Sequence, residues 1–208
     1  MNAKRVYVDI DDVLSATIER LIDLLEDRHG RRVAVQEVLH FDLEESFGLT
    51  SSEILDFMEA AHTDQVIESI APTKGAAEEL RRWAANGFEV ILVTGRPPTT
   101  NAASRRWLET HGIEYHALHH LDKWGRPSWN DARLPALRFD EIPDLGFDFA
   151  VEDSLDTAVR LVEEFGLTVC LMDRPWNRAT ESLASETRSK LLRCASWSEV
   201  AEEARALS

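Results

Sequence analysis

Apolar residues along the chain gather into short runs separated by stretches with a helical period. Five of these runs read as buried strands: "RVYVDI" (5–10), "FEVILVT" (88–94), "EYHALH" (114–119), "FDFAVE" (147–152) and "LTVCLM" (167–172). They are compact and rich in β-branched and aromatic residues, as strands packed on both faces require. Between them, "AASRRWLETH" (102–111) and "LDTAVRLVEEFG" (155–166) carry the helical period. In the second, Leu155, Ala158, Val159 and Val162 fall on one face, and Gly166 supplies the stop. Strands alternating with helices predict a parallel sheet covered on both sides, a doubly wound, Rossmann-like α/β core. Ligands of such a core bind beyond the carboxyl ends of the strands.

The first interval breaks this rhythm. Residues 16–72 contain no strand pattern, only helical ones such as "ATIERLIDLLEDRHG" and "SSEILDFMEAAH". Thr50 or Ser51 can cap the second of these, with Glu53 close behind. The stretch is far longer than one crossover helix needs. It predicts a small helical cap (16–72) inserted after the first strand, with residues 1–15 and 73–208 forming the core. "PTKGAAEELRRWAANG" (72–87) returns the chain to the core, and the segment from about 124 to 146 has no clear pattern.

With 208 residues, 44% of them hydrophobic, the chain can bury a substantial core. A formal charge of −15 argues against nucleic-acid polymers and anionic membranes as partners, but leaves room for one small anion in a local positive pocket. The two cysteines, Cys170 and Cys194, are too few for a disulfide framework, and Cys170 lies in an apolar run. "MNAKRVYVDIDD" has no signal-peptide apolar region, so the expectation is a soluble, cytoplasmic protein. Oligomeric state is left open.

Chemistry collects where the strands end. Asp9, Asp11 and Asp12 follow the first strand, and Thr94, Gly95 and Arg96 follow the second. Lys123 follows the third, and Glu152, Asp153 and Ser154 end the fourth. A parallel sheet brings these ends to one edge. So many acids around one lysine and one threonine call for a counter-charge. Mg2+ suits them, because it takes oxygen ligands and keeps positions for water and phosphate oxygens. His116, His119 and His120 also cluster in sequence, but alternation sends His119 and His120 to opposite faces of a strand, against a histidine-ligated metal.

Asp9-Ile-Asp11-Asp12-Val-Leu, Thr94-Gly-Arg, Lys123 and Glu152-Asp153 resemble, in order, the four motifs of the haloacid dehalogenase superfamily. The resemblance spans the whole chain, helical cap included. It implies Asp9 as nucleophile and Mg2+ ligand, and Asp11 as general acid/base with its main-chain carbonyl on the metal. Thr94 would bind phosphate, with Gly95 and Arg96 beside it, and Lys123 would tie the phosphoryl group to Asp9. Asp153 would complete the metal shell and Glu152 would stand behind it. An aspartate at position 11 separates phosphate-ester hydrolysis from the dehalogenase and phosphonatase activities of the superfamily. The gap from Lys123 to Asp153 is long for the family.

"LHFDLEESFGLTSSE" with "IAPTKGAAEELRRW", and "LMDRPWNR" (171–178), resemble the 5'(3')-deoxyribonucleotidase family. That resemblance implies Phe41 as a nucleobase-stacking aromatic and Leu43 as part of the pocket wall. Phe41, Phe47 and Phe57 also fit a plain packing role in a small helical cap. Asp173 to Asn177 also fits a simple turn, and Arg96 and Arg178 are candidates for phosphate or loop contacts. The expected function is a Mg2+-dependent phosphomonoesterase acting on a small phosphorylated substrate, with a deoxynucleoside monophosphate leading. A phosphatase of another small metabolite, or a non-catalytic binding module with the same fold, are the alternatives.

Overall fold

The computed structural model describes residues 3–123, 125, 130, 131 and 133–207. Its centre is a seven-stranded, all-parallel sheet in the order β6-β3-β2-β1-β7-β8-β9. The strands are β1 (Arg5–Val8), β2 (Glu89–Thr94), β3 (Ala117–Asp122), β6 (Leu137–Arg138), β7 (Phe149–Glu152), β8 (Thr168–Met172) and β9 (Leu191–Cys194). A separate antiparallel pair joins β4 (Asn130–Asp131) to β5 (Leu134–Pro135).

Alternation along β1 divides the core. Val6 and Val8 face one layer with Leu80, Trp83, Trp107 and Trp197, which come from α5 (Ala76–Ala85), α6 (Asn101–Thr110) and α9 (Trp197–Ala206). Tyr7 faces the other, with Ala158, Leu161 and Val162 of α7 (Leu155–Phe165) and Phe139 and Ile142 of the 3-10 segment Phe139–Leu145. A three-layer α/β sandwich follows. Because β1 pairs with β2 on one side and β7 on the other, the chain changes winding direction at the β1/β7 boundary. A crevice opens at such a switch point.

Between β1 and α5 lie four helices: α1 (Thr17–His29), α2 (Leu43–Phe47), α3 (Ser51–Ala61) and α4 (Asp64–Glu68). They bury an apolar cluster of their own around Leu25, Phe47 and Phe57. Thr50 caps α3 in a capping box with Glu53. The two connections to this insert run side by side: Ala16 N–H donates to the Ala71 carbonyl at 2.8 Å and Thr73 N–H to that of Leu14 at 2.7 Å.

Two differences from the sequence-based expectation bear on the site. The third strand runs Ala117–Asp122, three residues later than "EYHALH", which puts Lys123 directly at its end. The sheet also continues to β9, followed by α9; α8 (Ser185–Ser189) leads into β9. "LLRC" lacks the β-branched run that marks the other strands, and Arg193 at its third position breaks the apolar pattern.

Candidate active site

The ladder of β1 continues one residue past the strand: Asp9 N–H donates to the Val151 carbonyl at 3.0 Å, setting Asp9 beside the end of β7. The chain then turns sharply. The Ile10 carbonyl accepts from Leu14 and Ser15 N–H, both at 2.9 Å, with Asp12 at φ 54° in the left-handed region that aspartate tolerates better than most residues. The Asp12 carboxylate then accepts from Ile18 N–H at 3.0 Å, in the first turn of α1. One tight turn thus gives Asp9, Asp11 and Asp12 three different surroundings.

Asp9, Glu152 and Asp153 each offer a carboxylate oxygen, all within 4.8 Å of one another, and all three residues are buried. Asp9 Oδ1 has no hydrogen-bond partner among the described residues. An orphaned oxygen inside an all-carboxylate donor set fits a hard, oxygen-loving cation such as Mg2+. Burial, then the charge of Glu152, pushes the Asp9 carboxyl well above the usual carboxylate range, only partly offset by Lys123. Burial, Glu152 and Asp12 do the same to Asp153. Both shifts express the counter-charge the cluster needs.

Lys123 Nζ lies 2.9 Å from Glu152 Oε1, with Glu152 fully buried. Burial works against the charged ammonium, but Glu152 and Asp9 outweigh it and raise the lysine above its ordinary value. The lysine expected from the sequence therefore joins the cluster through Glu152.

Asp11 sits apart from the other acids. Arg96 holds it with Nη2 at 2.7 Å from Oδ1 and Nε at 3.0 Å from Oδ2, and Thr17 donates to Oδ1 at 2.6 Å. Burial would raise this carboxyl, but the Arg96 charge and hydrogen bonds, aided by Thr17, hold it below the ordinary value. Thr94 is fully buried; its hydroxyl accepts from Arg96 N–H at 3.2 Å and lies 3.5 Å from Asp11 Oδ2. Arg96, expected beside phosphate, lines the cavity and has its guanidinium on Asp11, with Nη1 also donating to Ser104 Oγ at 3.2 Å. Arg178 makes the loop contact, an ion pair with Asp173 at 3.0 Å.

Above the acids opens a cavity of about 600 Å³ between the sheet edge and the helical insert. Asp9, Asp11, Gly95, Arg96, Lys123 and Asp153 line the sheet side. The insert contributes a mostly apolar wall that includes Leu21, Phe41, Leu43, Ile54 and Met58. Phe41 is 48% exposed, while Phe47 and Phe57 are fully buried and pack edge to face at 5.6 Å. Phe47 and Phe57 are thus packing residues, and Phe41 is free to meet a ligand. His120 is buried, with Nδ1 2.9 Å from the Arg96 carbonyl, and serves the loop after β2. His116 Nδ1 accepts from Val90 N–H at 3.0 Å.

Thr17 has no part in the site expected from the sequence, and Trp176 reads there only as a packed tryptophan in a turn or as the aromatic of the "LMDRPWNR" resemblance. Trp176 Nε1–H donates to Asp153 Oδ2 at 2.8 Å while its ring packs against the apolar cluster of the insert. Its signal was present in "DRPWN", where proline fixes the backbone ahead of an aromatic donor.

An all-parallel sheet with this crevice and an insert after its first strand defines the class by its architecture: the chain has a haloacid dehalogenase-like α/β fold. Two solved structures support this. A predicted phosphatase from Clostridium acetobutylicum superposes with a TM-score of 0.66 at 12% identity, covering 99% of this chain and 100% of its own. A haloacid dehalogenase-like family hydrolase, SP0104 from Streptococcus pneumoniae, superposes with a TM-score of 0.59 at 13% identity, covering 90% of each chain. In sequence, the chain is similar to a protein of Halalkalibacterium halodurans (strain C-125) named "Putative nucleotidase BH1399", 26% identical over 94% of this chain and 90% of that one. The family described as "PITM 1-3, LNS2 domain" matches residues 40–132. No helix among the described residues is long and apolar enough to cross a membrane.

Proposed function

We propose that the chain is a Mg2+-dependent phosphomonoesterase that forms an aspartyl-phosphate on Asp9 and acts on nucleoside monophosphates. The observation that carries this reading is Asp9, which borders the cavity while its Oδ1 lies buried and unpartnered beside Glu152 and Asp153. A nucleophile needs a carboxylate not already committed to other groups, and Asp9 borders the cavity with one such oxygen.

In the first half-reaction an Asp9 carboxylate oxygen attacks phosphorus. The bond to the ester oxygen breaks as the Asp9–phosphorus bond forms, and Asp11 gives the departing oxygen its proton. In the second, Asp11 takes a proton from water, the water oxygen attacks phosphorus, and phosphate leaves with Asp9 restored. Lys123, raised and charged, neutralises the equatorial oxygens as charge builds. Thr94 and the N–H group of Gly95 would hold those oxygens. Mg2+, held by the Asp9 and Asp153 carboxylates and the Asp11 carbonyl, would supply Lewis-acid stabilisation, with Glu152 behind it securing Lys123. Arg96 favours the ionised form of Asp11 that the second half-reaction uses, and the proton Asp11 takes there from water is the one it gives to the leaving oxygen in the next turnover.

Residues 16–72 act as the cap in this reading. A mostly apolar wall with the exposed Phe41 suits a flat, aromatic leaving group better than a polyol, because a π-face adds affinity without demanding one base. The similarity to the protein named as a nucleotidase agrees with this choice. A screen of phosphomonoesters with and without Mg2+ tests it. Thymidine or deoxyuridine monophosphate should turn over well above sugar phosphates, and only with Mg2+. Preference for sugar phosphates would move the substrate to another metabolite, and no turnover of any ester would favour a binding module.

A further inference from the structure

Residues 173–177, beyond β8, touch the strand ends of the site at three points. Trp176 Nε1–H donates to Asp153 Oδ2 at 2.8 Å. The Asn177 side-chain amide donates to the carbonyls of Asp153 and Met172, both at 2.7 Å. Arg174 donates through Nε to the Asp12 carbonyl at 3.1 Å. The segment is itself pinned: Asn177 is fully buried, and its Oδ1 accepts from Arg174 N–H at 3.2 Å and from Arg193 Nη1 at 2.8 Å. A loop this well tied, closed by a proline at Pro175, can hold a partner at a fixed distance.

We propose that Trp176 is the positioning residue of Asp153, setting the carboxylate's orientation so that it meets a divalent cation together with Asp9. The inference rests on the reading of the acidic cluster as a Mg2+ site. Indole nitrogen donates and never accepts, so Trp176 fixes the carboxylate without competing for the ion. Partners of this kind behind a metal ligand set its orientation, and losing one typically weakens metal affinity or activity about 10–100-fold. Among the described residues, the other nearby donors are engaged elsewhere: the Asn177 amide takes the Asp153 carbonyl, and Lys123 goes to Glu152.

Calorimetric Mg2+ titration of the wild type and of Trp176→Phe, which keeps an aromatic ring and removes only the N–H donor, tests the proposal. The variant should bind Mg2+ about tenfold or more weakly, with its substrate KM at saturating Mg2+ unchanged. Equal Mg2+ affinity in the two proteins overturns the positioning role and leaves the metal site standing. A wild type that binds no Mg2+ overturns both. Should the variant fold poorly in a melting curve, the wild type alone still decides: in the 15N-indole spectrum one tryptophan N–H must be slow to exchange and must shift on adding Mg2+. Indole signals indifferent to Mg2+ contradict the proposal.

Discussion

Arg96 grips both carboxylate oxygens of Asp11 across 85 residues of sequence, with three nitrogen–oxygen contacts between 2.7 and 3.1 Å. Arg96 is 4% exposed and the Asp11 side chain 29%, so the guanidinium end of the pair is buried and its fork geometry makes the contact directional. The bond stabilises ionised Asp11. In the proposed mechanism that is the form that deprotonates water, while the protonated form serves the leaving group, so Arg96 would set the balance between the two half-reactions.

Replacing Arg96 with lysine keeps a positive charge but loses the planar fork. The expected result is a fall in kcat of about tenfold or more with KM for substrate little changed, as for removal of an interaction made with the catalytic group rather than with bound substrate. Steady-state kinetics checks this. A raised KM with kcat intact would mean that Arg96 binds the phosphoryl group directly.

Phe41 lies on the cavity wall and contributes little to the insert's own core, whereas Phe57 is fully buried in it. Phe41→Ala should leave the melting temperature near that of the wild type and raise KM for thymidine monophosphate far more than for a small aryl phosphate. Phe57→Ala should instead destabilise by about 3–5 kcal/mol, the usual range for emptying a buried phenyl site. Equal effects of Phe41→Ala on both substrates would remove stacking from the account.

Lys123 and Glu152 form a buried pair, so removing one partner strands the other's charge. Lys123→Met should destabilise by about 3–5 kcal/mol and abolish turnover. Adding Glu152→Gln should recover much of the stability and none of the activity. Chemical denaturation and turnover of the two variants provide the check; a single variant as stable as wild type would show that the pair is not what holds the site.

His120 gives a pH dependence with a defined sign. Burial depresses its pKa below the usual 6.5, although the bond to the Arg96 carbonyl partly opposes this. The unfolded chain then binds the proton more readily, so stability is complete above the unfolded value and declines as pH falls through the folded one. Denaturation midpoints should drop as pH falls below about 6.5, and His120→Gln should flatten that slope. Parallel curves for the two proteins would contradict it.

The apolar run of "RVYVDI" and the helical period of 155–166 make β1 and α7 readable, and with them the parallel sheet. Placing β1, β2 and β7 side by side is what brings Asp9, Arg96 and Asp153 to one edge, although they are far apart in sequence. What pattern could not convey was pairing between side chains. Nothing local distinguishes an arginine that meets phosphate from one that meets Asp11, because the choice depends on the turn at Ile10–Ser15 and its left-handed Asp12. Trp176 looked like a packed turn residue because its acceptor lies on another strand. β9 escaped notice because Arg193 interrupts its apolar run and pairs with Asp173 instead.

The most direct measurement is a crystal structure of the protein with Mg2+ and fluoroberyllate, a mimic of an aspartyl-phosphate. Beryllium bonded to a carboxylate oxygen of Asp9, with a cation touching both Asp9 and Asp153, is the predicted result. Fluoroberyllate on any other residue, or a cation bound away from these two carboxylates, would contradict it.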